Sequence, residues 1–86
     1  MDKPVRFFVY RVTVTRPDGT VRSAVVKTTS RERDPGASVF ALHAELARLQ
    51  EHGEVVKASV SIPGKVGPKQ RERMQRWTET IPGLLA

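Results

Sequence analysis

VRFFVYRVTVT, residues Val5 to Thr15, is the longest strand-like run in the chain and the one with apolar residues on both of its alternating sides. Successive side chains of a strand point to opposite faces, so apolar residues on both sides mark a strand inside a sheet. Val5 to Thr15 therefore reads as the central strand of a small sheet.

A second β-branched run, Val21 to Thr29, follows Arg16-Pro17-Asp18-Gly19-Thr20. Pro17 fits the second position of a type I turn and Gly19 the left-handed position after it, so the two runs form a hairpin. Pairing Arg16 with Thr20 sets Val14 opposite Arg22, Val12 opposite Ala24, Tyr10 opposite Val26 and Phe8 opposite Thr28. That side is the predicted core face, with Phe8, Tyr10 and Val12 beneath the first helix. The other side carries Phe7, Val9, Arg11 and Thr13 against Thr29, Lys27, Val25 and Ser23. It is half apolar and half basic, and is either solvated, covered near Phe7, or used to hold a partner.

Thr29 to Ala37 is a polar connection whose charges nearly cancel, with Asp34-Pro35 as a helix cap and first turn. From Ser38 to His52, Val39, Leu42, Leu46 and Leu49 fall within about 80° of one another on a helix, which Gly53 ends. Phe40 lies roughly 120° from that stripe, beside the small residues Ala41 and Ala44, on a surface suited to a second helix or a second subunit. Glu54 to Ile62 alternates as a half-exposed edge strand, with Val56, Ala58, Val60 and Ile62 inward and Val55, Lys57, Ser59 and Ser61 outward. Pro68 can open a last helix running to about Thr80, closed by Ile81-Pro82-Gly83. Leu84-Leu85-Ala86 is then a tail that packs back or frays.

The order is strand, strand, helix, strand, helix. A right-handed crossover over the first strand gives a three-stranded, antiparallel or mixed sheet in spatial order 2-1-3, and a two-layer ββαβα domain of the α+β class spanning residues 1–86. Arg22, Lys27 and Lys57 on the open edges discourage indiscriminate pairing, although symmetric edge pairing in a homodimer is compatible with this layout.

At 86 residues the chain buries only about 60 to 65 percent of its unfolded surface, so its core is thin. It has no cysteine, which excludes disulfides, thiolate metal sites and cysteine nucleophiles. The first residues lack a secretory pattern and no apolar run reaches the roughly 20 residues of a membrane span, so a soluble, cytoplasmic protein is expected. Fifteen Lys and Arg against nine Asp and Glu give a net charge of +6 and favour a polyanionic partner.

The residues that express this preference are concentrated late in the chain. On the last helix Lys69, Arg73 and Arg76 lie within about 60° of one another, beside a stripe of Gln70, Met74 and Trp77. With Lys65 before the helix and Arg11 and Lys27 on the ribbon, they form a candidate nucleic-acid-binding set. Met74 and Trp77 have core spacing as well. His43 and His52 have no ligand spacing around them, so no metal or cofactor is expected. No nucleophile, paired carboxylate or phosphate loop points to an enzyme. The expected function is non-catalytic: a small nucleic-acid-binding or nucleic-acid-associated accessory protein of the kind phages and mobile elements carry. The alternative is a protein-interaction module, a homodimeric adaptor or inhibitor that uses Trp77, Phe40 and Phe7.

Overall fold

The computed structural model describes residues 7–29 and 35–86, with the backbone alone at 7, 29, 35 and 71–73. Its elements are β1 (Phe7–Thr15), β2 (Val21–Thr29), a single 3-10 turn (Pro35–Ala37), α1 (Val39–Glu51), β3 (Lys57–Ser61), α2 (Pro68–Arg73) and α3 (Trp77–Leu85). The hairpin turn sets the register. Arg16 donates its backbone N–H to the Thr20 carbonyl at 2.8 Å, and Gly19, at φ 89°, takes the left-handed position that a side chain disfavours. The Asp18 carboxylate accepts the Thr20 N–H at 2.9 Å, and this hydrogen bond holds its pKa below the ordinary value.

From this turn the pairing runs Val14 to Arg22, Val12 to Ala24, Tyr10 to Val26 and Phe8 to Thr28, as the hairpin reading requires. β3 pairs antiparallel to the other edge of β1, so the strand order is β2-β1-β3 with β1 central. The fold is the expected α+β arrangement of ββαβα order. Val12, Val14 and Val26 from the sheet, Leu42, Leu46 and Leu49 from α1, Val55, and Trp77, Ile81 and Leu84 from α3 make one buried cluster. Both helices thus share one face of the sheet.

α1 begins at Ser38, whose side chain accepts the Ala41 N–H at 3.3 Å. It ends at Gly53, whose φ of 76° is the left-handed conformation expected there. The predicted cap at Asp34 lies outside the described residues.

Four local expectations are corrected. β3 is shorter than Glu54 to Ile62, and its alternation slips at the entry: Val55 is 1% exposed, while Val56 is 59% and Ile62 84% exposed. Thr15 already pairs with Lys57, yet its carbonyl also accepts the Val56 N–H at 2.7 Å. Two successive residues facing one partner is the arrangement of a β-bulge, which shifts the side-chain phase by one residue. Secondly, Phe8 is 46% exposed and Tyr10 half-buried although their partners Thr28 and Val26 are fully buried, because β3 stops opposite Arg11 and leaves this end of β1 without a neighbour on its other edge.

Thirdly, the last helix is two helices separated at Met74-Gln75-Arg76, where Arg76 is extended at φ −68° and ψ 152°. Fourthly, Pro82 sits within α3 rather than ending the helix. It lacks one helical N–H, and α3 is held by burying Trp77, Ile81 and Leu84, a four-three spacing on one stripe. The Leu84-Leu85 tail therefore packs onto the domain.

Because the bulge exchanges the roles of two adjacent valines, the energetics of truncating them should differ sharply. Val55→Ala is expected to lower the unfolding free energy by about 2 kcal/mol, and Val56→Ala by less than about 0.5 kcal/mol, in urea denaturation. The reverse order would restore regular alternation from residue 54.

Candidate nucleic-acid interface

With both helices on one side, the other side of the sheet has no fully buried side chain among the described residues. Its cross-strand rows follow from the register. Thr15 lies between Val21 and Lys57, Thr13 between Ser23 and Ser59, Arg11 between Val25 and Ser61, and Val9 beside Lys27. The Thr13 hydroxyl donates to the Ser23 hydroxyl at 3.2 Å. Cations and hydroxyl groups alternate with a few valines across three strands.

The interruption between α2 and α3 adds to this face. Lys27 donates its backbone N–H to the Gln75 carbonyl at 3.0 Å, and Lys27 and Arg76 form a parallel β-bridge along the outer edge of β2. Paired residues in a bridge point to the same side, so exposed Arg76 joins Lys27 on the open face. Trp77, next in sequence, points the other way and is 7% exposed in the core. Arg11 lies diagonally across from Lys27, about 7 to 8 Å away in such a ladder. In water, like charges at that distance repel by only about 0.5 kcal/mol, so the fold tolerates them together and an anion above them removes the repulsion.

The open face carries Arg11, Lys27, Lys57 and Arg76 and no acidic residue among those described. The described acids fall on the hairpin turn (Asp18), on or just after α1 (Glu45, Glu51, Glu54), and on α3 (Glu79). On α1, Glu45 and Arg48 pair with each other, which lowers the Glu45 pKa through the Arg48 hydrogen bond.

The proposed binding residues are therefore only partly united. Arg11, Lys27 and Arg76 share one surface. Lys65 stands at the end of the sheet, in a cleft beside Phe8 and Val9. Lys69 is exposed on α2, which ends at Arg73 before Arg76, so the expected row Lys69, Arg73, Arg76 does not run along one helix. The side chains of Arg73 and Phe7 lie outside the described residues. Phe40 is 62% exposed on α1, in the helical layer away from the basic face. Lys57, Ser59 and Ser61 belong to the face as well. Their outward positions are visible in the sequence once strand order 2-1-3 sets them beside Arg11, whereas the Arg76 bridge has no local signal.

His43 and His52 are exposed, and among the described residues no group of three or more His, Cys, Asp or Glu is placed to hold a metal ion. Nor is any described helix long and apolar enough to cross a membrane. No protein-family model, curated protein or solved structure matches the chain.

Trp77 anchors the chain just after Arg76, but its indole Nε1 is buried without a hydrogen-bond partner. A buried unpaired N–H costs about 1 to 3 kcal/mol, and phenylalanine removes that cost while filling most of the space. Trp77→Phe is expected to change stability by less than about 1 kcal/mol, against a loss of about 3 to 5 kcal/mol for Trp77→Ala, in thermal or urea unfolding. Equal losses would mean that the indole N–H is satisfied.

Proposed function

We propose that the open sheet face binds the sugar-phosphate backbone of a nucleic acid, without catalysis. The observation that carries this reading is the convergence of Arg76, Lys27 and Arg11, from three separated parts of the chain, on a face with no acid among the described residues. A guanidinium meets phosphate oxygens through two parallel hydrogen bonds, and the hydroxyls of Thr13, Ser23, Ser59 and Ser61 are of the kind that bond phosphate and sugar oxygens. Phosphates that bind such cations release condensed counterions, which drives association and makes it salt-dependent. The net charge of +6 and the four cations of this face favour approach of a polyanion to it.

The second reading is a protein-interaction module that uses Phe40, the most exposed aromatic side chain described. Its binding would be indifferent to Arg11 and Arg76 unless the partner were acidic.

Fluorescence anisotropy with labelled DNA and RNA distinguishes the two. If Arg11, Lys27, Lys57 and Arg76 each neutralise one phosphate, affinity should fall with salt at a log-log slope of about −3 to −4. The double substitution Arg11→Gln with Arg76→Gln should weaken binding and reduce that slope by about 1 to 2, while Arg48→Gln on the helical layer should leave both unchanged. Absence of binding at low salt refutes the proposal.

A further inference from the structure

β1 continues past the end of β3, and the gap this leaves is a cleft of about 420 Å³ lined by Phe8, Val9, Ile62, Pro63, Lys65 and Val66 among others. We infer that this cleft takes one unpaired base of a single-stranded nucleic acid whose phosphates run across the basic face. The inference rests on the nucleic-acid reading and narrows it to single strands.

Three features of the cleft suit a base. Phe8 is 46% exposed and lies outside the buried cluster, so its ring offers a wall for stacking rather than a piece of core. Stacking on an aromatic ring is open to every base and is how sequence-tolerant single-strand binders gain much of their affinity. The second feature is a backbone donor and acceptor. Lys27, opposite Val9, turns its N–H outward to Gln75, so Val9 and Lys27 are not a hydrogen-bonded pair. The Val9 N–H and C=O therefore face the opposite side, as those of Arg11, Thr13 and Thr15 face β3, but β3 ends at Ser61 and the chain departs through Ile62 and Pro63. Val9 accordingly presents one donor and one acceptor to the cleft, which matches the edge of a base.

The third feature is charge and continuity. Lys65 is exposed at the rim, and Val9 belongs both to the cleft and to the row of Lys27 and Arg76. Phe8 projects to the helix side of β1, so a strand whose phosphates lie on Arg76, Lys27 and Arg11 reaches it past the edge of β1 that β3 leaves uncovered at Val9, with the next phosphate at Lys65. The volume is within the usual range for small-ligand sites, about 300 to 1,000 Å³. Addition of a peptide strand fits less well, because it relies on a run of outward amide pairs and, among the described residues, only those of Phe7 and Val9 lie beyond the end of β3.

The test compares a labelled 12-nucleotide oligothymidine with a mixed-sequence duplex of the same length, by anisotropy at low salt. Wild-type protein is expected to bind the single strand more tightly. Phe8→Ala should weaken the single strand about tenfold and the duplex less than twofold. Phe8→Trp, which retains a ring if Phe8→Ala is poorly folded, should keep single-strand affinity and show tryptophan quenching with oligothymidine but not with duplex. Unchanged single-strand affinity in Phe8→Ala, or no quenching in Phe8→Trp, overturns the cleft. If Arg11→Gln with Arg76→Gln still weakens both ligands, the basic face survives that failure. Absence of binding to either ligand by the wild type overturns the face and the cleft together.

Discussion

A three-stranded sheet in a chain of this size can bury one face well, and the packing of Val12 and Val14 decides which. Both side chains are wholly inaccessible at the centre of the sheet, where α1, α3 and Val55 meet it. Every helix that packs there is drawn to the same side. The alternation of the strand then leaves Val9, Arg11 and Thr13 on the other side. The basic face is thus a consequence of one-sided burial as much as of any residue upon it.

The second constraint is at the edge of β2. Ending α2 early sacrifices helical hydrogen bonds at Met74-Gln75-Arg76, and the bridge to β2, with its Lys27 to Gln75 bond, compensates at this edge. Trp77 also offsets the loss, since its indole is buried against the sheet despite its unpaired N–H. The alternation of the extended segment does the rest, since burying Trp77 turns Arg76 outward beside Lys27. A core residue and a surface cation are therefore placed by the same two-residue stretch.

The hairpin, its register and the central position of β1 were legible because they depend on local rules: a turn that admits few conformations and a period of two. The leucine stripe of α1 was legible for the same reason. The errors arose where a tertiary contact overrode a local pattern. The bulge opposite Thr15 exchanges Val55 for Val56, and nothing in EVVKASVSI distinguishes them. The segment PKQRERMQRWTET reads as one helix until β2 claims Gln75. Of the candidate site, Arg11 and Lys27 could be placed on one face from the register, whereas Arg76 reached that face through a pairing between residues about fifty positions apart. Phe8 belonged to the predicted core by parity, and its exposure follows from the length of β3, which depends on where Ile62 leaves the sheet.

The most direct measurement is a map of backbone amide chemical shifts in the labelled protein as oligothymidine is added at low salt. The largest changes are expected at Val9, Arg11, Val25, Lys27, Ser59, Lys65 and Arg76, with α1 from Phe40 to Arg48 nearly silent. Changes confined to α1, or no changes at all, would contradict the assignment of the open sheet face as the binding surface.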